Sequence, residues 1–371
     1  MESPSALGRV WHTFPLKTGH SWLNCLLLFV PVSVILYLLH LSPVLIFAAT
    51  ALAIAPMAGV LGECTSSLAA YAGPSMGGLL NASLGNATEF IIALFALHDG
   101  HIKVVKASLS GSIIGNLLLV LGLSIVVGGA KRDFLRFSRA TTSMHSTMLM
   151  IAVAALVMPA VFNLTMYGEL RHVSPALERL SLWTSAILIL LYLANLLFVF
   201  WTHRELFNAV KQERALPELS RKQALIGLAL STVIIAGLSE ILVSQIGPVT
   251  KALGMTELFV GVIVIAIIGN AAENSTAIIM AKRQKIDLAM TIATSSSTQI
   301  ALLVAPVLVF LSVLMGHPMT LVFNGFEIAA IILSVLIVEM ISADGETNWF
   351  EGAQLLAVYA IVAVAFWFVA E

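Results

Sequence analysis

The sequence predicts an all-α membrane protein with eleven transmembrane helices. They form two five-helix repeats of opposite orientation, with one extra helix at the N-terminus. Three observations carry that expectation. Of the 371 residues, 59% are hydrophobic and only 11% are charged, whereas a soluble domain carries about a quarter charged residues. Apolar runs of about 20 residues, the length needed to cross a bilayer, recur from one end to the other. Two near-identical pentapeptides, Gly85-Asn86-Ala87-Thr88-Glu89 and Gly269-Asn270-Ala271-Ala272-Glu273, sit inside such runs almost half a chain apart.

Breaking the apolar runs at charges, Gly and Pro places spans at approximately 23–40, 42–62, 77–98, 103–129, 142–163, 180–202, 223–246, 256–281, 287–315, 320–342 and 350–370. Residues 1–22 are polar and include two prolines, so they do not read as a cleavable leader. The first run is therefore expected to be a retained helix. The longest polar connection, 203–222, carries five basic and three acidic residues around Pro217. It divides the chain into an N-terminal segment with the first helix (1–41), a first repeat (42–202), a linker (203–222) and a second repeat (223–371).

The distribution of positive charge tests the order of the spans, because cytoplasmic loops are enriched in Lys and Arg. With the N-terminus on one face, that face collects Arg9, Lys17, Lys131, Arg132, Arg136, Arg139, Arg204, Lys211, Arg214, Arg221, Lys222, Lys282, Arg283 and Lys285. The other receives only Lys103, Lys106, Arg171, Arg179 and Lys251. Fourteen against five favours an odd number of spans, a cytoplasmic N-terminus and an extracytoplasmic C-terminus. With span one as an appendage, the two pentapeptides fall on the second helix of each half. Inverted repeats of this kind place a substrate site near the midplane, where the halves meet.

A carboxylate within hydrocarbon costs roughly 2.5 kcal/mol or more at a helix centre, so two at matching positions point to use. Asn86 and Glu89 are spaced i, i+3 on one helix face, and Asn270 and Glu273 repeat the spacing. Gly85 and Gly269 permit an irregular backbone whose carbonyl can turn to a cation. Carboxylate, amide and carbonyl oxygens together suit a hard cation. The next span in each half adds Ser110, Gly111, Ser112, Gly115 and Asn116, or Thr294 through Gln299. Glu89 to Ser112 and Glu273 to Ser296 are both 23 residues. That register favours a ligand or supporting role for Ser112, Asn116, Ser296 and Gln299, although small polar residues also serve close helix packing. Glu240, Glu327 and Glu339 have no repeat partner. They stand between a proton path and plain interhelical hydrogen bonding.

Other classes find no support. No dense basic block exists to bind nucleic acid. Cys25 and Cys64 have neither metal spacing nor a disulfide framework. No His-Glu-x-x-His, no Gly-x-Ser-x-Gly and no filter segment is present, so neither an intramembrane enzyme nor a channel is expected, and no cofactor is called for.

These residues resemble the cation/proton exchanger branch of the calcium/cation antiporter superfamily. The matching stretches are GPSMGGLLNASLGNATEFIIALFALHDGHIKVVKASLSGSIIGNLLLVLG (73–122), GMTELFVGVIVIAIIGNAAENSTAIIMAKRQKIDLAM (254–290), SSSTQIALLVAPV (295–307) and DGETNWFEGAQLLAVYAIVAVAF (344–366). The resemblance implies eleven spans, alternating access around one central site, and Ca²⁺ held by Glu89 and Glu273 in exchange for protons. The chain departs from the pattern at Asn274, where the family usually has His, and at Ser295, where it usually has Gly. A Na⁺-driven Ca²⁺ exchanger or a monovalent cation/proton antiporter is the alternative reading. The expected partners are Ca²⁺, H⁺ and the lipid bilayer, in a prokaryotic plasma membrane or, alternatively, a vacuolar one.

Overall fold

A computed structural model describes residues 21–168, 174–202 and 217–369. The expectations for residues 1–20, most of the linker, and Arg9, Lys17, Arg171, Arg204, Lys211 and Arg214 lie outside the described residues. The described residues are almost wholly helical, with 84% of them in helices. The helices are α1 Ser21–Leu26, α2 Phe29–Leu38, α3 Pro43–Ala72, α4 Pro74–Leu84 and α5 Ala87–His98. There follow α6 Ile102–Gly129, α7 Arg139–Tyr167, α8 Pro175–Thr202 and α9 Arg221–Ser244. The last six are α10 Ile246–Leu253, α11 Glu257–Gly269, α12 Ala271–Lys282, α13 Ile286–Leu314, α14 Gly325–Ser342 and α15 Trp349–Phe368.

Eight of the described helices (α3, α6, α7, α8, α9, α13, α14 and α15) are long and apolar enough to cross a membrane unaided. The expected spans 77–98 and 256–281 are not continuous. Each breaks at its pentapeptide, α4 giving way to α5 at Gly85–Asn86 and α11 to α12 at Asn270. The pieces α5 and α12 have 12 residues each, roughly 18 Å at 1.5 Å per residue, against about 30 Å of hydrocarbon. Interrupted helices of this kind are tolerated at membrane depth only where protein or a cavity covers them.

Sequence chemistry sets the helix ends. Ser174 caps α8 by accepting from the Leu177 amide, with Pro175 at the first helical position. Capping boxes open α9 (Ser220 with Gln223), α14 (Asn324 with Glu327) and α15 (Asn348 with Glu351). Gly168 ends α7 in the left-handed conformation at φ 74°.

Helix packing comes in couples that exchange when the halves are exchanged. The first helices, α3 and α9, lie along each other. The starting section of α6 packs on α14, and that of α13 packs on α7. The closing section of α6 packs on α15, and that of α13 packs on α8. Loops sort to two ends. At one, β1 (Leu135–Arg136) pairs antiparallel with β2 (Glu346–Thr347), Arg136 meets Glu346 at 3.0 Å, and Asp287 accepts from the Ser138 amide at 2.6 Å. We call this the strap end; it carries Lys131, Arg132, Arg136, Lys282, Arg283 and Lys285. At the other, the histidine end, His101 lies 4.0 Å from Glu257, His317 approaches Gly100, and the Leu321 amide donates to Ser181.

Candidate cation-binding site

Each pentapeptide turns its Asn out of helical geometry: Asn86 has φ −94° and ψ 26°, and Asn270 has φ −87° and ψ 5°. A new helix starts at the next residue, so Glu89 and Glu273 both occupy the first turn, where aligned amide dipoles favour negative charge. The two broken helices face each other with their glycines and glutamates interleaved. A Cβ placed on Gly85 would lie 3.2 Å from Glu273 Oε1, and one on Gly269 would lie 2.9 Å from Glu89 Cγ. Each carboxylate thus reaches over the glycine of the opposite half, close enough for the two charges to act on each other. Any larger residue at either glycine would meet the facing side chain.

The neutral groups interlock around this pair. Asn86 donates to Gln299 Oε1 at 2.8 Å and accepts from the Ser296 hydroxyl at 2.7 Å. Asn270 donates to the Ser112 hydroxyl at 2.9 Å and to the Ala266 carbonyl at 3.0 Å. Asn116 donates to Ser296 at 3.0 Å and lies 3.4 Å from Asn270 Oδ1. A wide π turn begins at Gly115, just before Asn116, and another at Ile300, just after Gln299. Such turns shift the face on which later residues appear. Asn116, four residues after Ser112, and Gln299, three after Ser296, reach the same centre from the ends of these turns.

Satisfaction of the polar atoms is uneven. Buried polar atoms ordinarily find partners, yet Glu89 Oε1 and Glu273 Oε2 have none among the described residues. Glu89 is 4% exposed, while Glu273 and Gln299 are half-buried. Among the described residues no group of three or more His, Cys, Asp and Glu could hold a metal ion. The donor set is two carboxylates amid amides, hydroxyls and carbonyls, the oxygen chemistry of a hard cation.

The structure therefore brings together Gly85, Asn86, Glu89, Ser112, Asn116, Gly269, Asn270, Glu273, Ser296 and Gln299. The three remaining acids stay apart from them. Glu240 is exposed near the end of α9, which corrects the expectation of a buried acid: the last turn of that helix turns it outward. Glu339 is half-buried on α14. Glu327 is buried, but both its oxygens are taken, one by the Ser110 hydroxyl at 2.6 Å and the other by the Asn324 amide at 2.7 Å. Two residues escaped sequence reasoning. Lys106, read as a loop charge, lies within α6 and donates to the Val322 carbonyl; its i, i+4 spacing to Ser110 was the available signal. Glu63 is a half-buried acid inside the apolar α3.

The sodium/calcium exchanger protein family matches residues 42–201 and 223–368, most of the chain. The chain belongs to this family. It is 45% identical over 342 residues to the Ca²⁺/H⁺ antiporter ChaA of Bacillus subtilis (strain 168), covering 91% of this chain and 96% of that protein. The solved structure of native YfkE superposes with a TM-score of 0.80 at 41% identity, over 94% of this chain and all of the other. A crystal structure of the H⁺/Ca²⁺ exchanger CAX shares the fold at a TM-score of 0.68 and 12% identity, over 93% and 91% of the two chains. Within the family the chain lies in the cation/proton exchanger branch.

Proposed function

We propose that this chain is a secondary active transporter that exchanges Ca²⁺ for H⁺ by alternating access, both ions using Glu89 and Glu273. The observation that carries this reading is the interleaved pair itself. Two intramembrane carboxylates each lie against the opposite half's motif glycine, and each retains an unpartnered oxygen. The names of its relatives, antiporters of Ca²⁺ and H⁺, support the choice of ions. They favour protons over Na⁺ as the driving ion.

Coupling follows from charge. Two carboxylates left bare in a low-dielectric centre repel each other and are costly to carry between the two access states. Ca²⁺ offsets both charges, and protons remove them, so only an occupied site is free to reorient. Asn86, Asn270, Ser112, Asn116, Ser296 and Gln299 would hold the carboxylates and complete the oxygen shell. No cofactor enters the scheme. The matched packing couples, the two matched family segments and the sorting of loops to two ends support two inverted five-helix halves, with α4–α5 and α11–α12 each counting as one broken span. With α1–α2 as the extra first helix this gives eleven. The Lys and Arg of the strap end support its assignment to the cytoplasm, with Ca²⁺ efflux from a prokaryotic cell as the direction of work.

Apparent Ca²⁺ affinity measured against pH in proteoliposomes tests the shared site. Carboxylate ligands must be deprotonated to bind metal, so affinity should fall steadily as pH drops, with protons acting as competitors. An affinity flat from about pH 6 to 8.5 would put the protons elsewhere. Transport driven equally well by a Na⁺ gradient at uniform pH would favour the sodium-coupled alternative.

A further inference from the structure

Outside the cation site, the histidine end holds a charged cluster, a half-buried lysine with a buried glutamate, that joins α6 to the α13–α14 connection and to α14. Lys106 Nζ donates to the Val322 carbonyl at 2.9 Å and to the Thr320 hydroxyl at 3.2 Å. One turn along α6, Ser110 donates to Glu327 Oε1, and Glu327 Oε2 caps α14 through the Asn324 amide. The Lys106 ammonium and the Glu327 carboxylate belong to one cluster, joined through Ser110 and the α13–α14 connection rather than by a direct ion pair. A capping box is satisfied by Gln as well as by Glu, so capping does not explain why this position carries a charge. Lys106 does. A cation held within the bundle needs a counter-charge, and Glu327, only 2% exposed, supplies it.

Among the described residues the opposite end has no such pair. Glu89 and Glu273 are 184 residues apart, as are Ser112 and Ser296. The same offset takes Lys106 to Met290 and Ser110 to Thr294. Met290 is a buried apolar residue, and the Thr294 hydroxyl donates back to the Met290 carbonyl at 2.8 Å, within its own helix. Burial differs in parallel. On α6, Val104, Ala107, Ser108 and Gly111 are all buried. Their counterparts on α13, Leu288, Thr291, Ile292 and Ser295, form a half-buried stripe that leads to Gln299. The face of α6 beside the charged cluster is thus covered, whereas the matching face of α13 is half-exposed.

We propose that Lys106, Ser110 and Glu327 form an ionic latch that holds the histidine end closed and sets the balance between the two access states. The latch rests on the alternating-access reading above. In an inverted repeat the two states are related by exchange of the halves, and any interaction present in one half alone makes them unequal. Here that interaction stabilises the state closed at the histidine end. Lys106 and Glu327 are positioning residues: they fix the approach of α6 to α14 and do not touch the cation.

The test uses thiol reporters at matched depths, Ser108→Cys and Ile292→Cys, each in a chain with Cys25→Ser and Cys64→Ala. An impermeant maleimide is applied to the full-length protein in detergent, without Ca²⁺. Lys106→Met should raise the labelling rate at position 108 by about tenfold and lower it at position 292, because a population moved to one state leaves the other. Glu327→Gln, which retains both hydrogen-bonding positions and removes the charge, should do the same in a protein that elutes as a folded species. Lys106→Arg should restore the parent rates. A rise at both reporters would mean general loosening, and no change at either would mean no latch; both results overturn the proposal. The assay needs no transport. A chain that moves no Ca²⁺ would sink the function proposed above while leaving the labelling result readable.

Discussion

Asn86 and Asn270 occupy equivalent places, yet the two halves of the site are not equally held. Asn86 draws its partners, Ser296 and Gln299, from α13 alone. Asn270 draws Ser112 and Asn116 from α6, and Asn116 also crosses to Ser296. One amide therefore ties the two cradles together, while its counterpart Gln299 serves only one. The carboxylates differ in the same sense: Glu89 is buried behind the network, whereas Glu273 is half-buried beside Gln299 at the end of the α13 stripe. On the proposed reading the duplicated motif has divided its labour: the half carrying Glu89 forms the fixed wall of the site and the half carrying Glu273 its entrance.

The largest test asks whether both halves are indispensable. Glu89→Gln and Glu273→Gln should each abolish Ca²⁺ transport in proteoliposomes with the protein still folded, since a single carboxylate leaves a divalent cation half-compensated in a low-dielectric site. Residual transport in either variant would remove that residue from the shared task.

A smaller effect should separate wall from entrance. On Gly269 an added methyl meets the stem of the buried Glu89 at 2.9 Å, whereas on Gly85 it meets the Asn81 carbonyl at 3.0 Å and, from the facing half, only the tip of the half-buried Glu273 at 3.2 Å. A stem packed in protein has no room to yield, but a tip at an opening can swing aside. Gly269→Ala should therefore lower apparent Ca²⁺ affinity by about tenfold, as expected for about 1.4 kcal/mol of misplacement, and Gly85→Ala by only a few-fold. The reverse order would assign the wall to the other half.

The sequence made the motifs, their i, i+3 spacing and the 23-residue interval to Ser112 and Ser296 legible, because each is a local regularity. It could not show which glycine faces which glutamate, since the contacts Gly85–Glu273 and Gly269–Glu89 are set by packing across 188 and 180 residues. Nor did it show that the motif helices are broken: Gly85 and Gly269 permit a break but equally suit close helix contact, as at Gly111, where an added methyl would overlap the Val262 carbonyl. Lys106 was misplaced for a related reason. A Lys one turn inside a helix reads as a loop residue until the carbonyl of Val322 and the hydroxyl of Thr320 are seen to receive it.

The finest test concerns the two amides. Asn116 is buried and donates to Ser296 while standing by Asn270, so its removal leaves buried polar atoms in both cradles short of a partner, at about 1–3 kcal/mol for each unsatisfied group. Gln299 is half-buried and holds only Asn86, which keeps Ser296 as a second partner; water can reach the gap left behind. Asn116→Ala should therefore cost about tenfold in apparent Ca²⁺ affinity, and Gln299→Ala less than that. The two losses should not add, because both variants loosen the same Ser296–Asn86 pair, and residues sharing a hydrogen-bond network couple energetically. Flux measurements on both single variants and the double variant give the coupling directly. If Gln299→Ala proved the costlier change, or if the losses added, the bridge through Asn116 would not be what joins the halves, and the entrance would be the more tightly held side of the site.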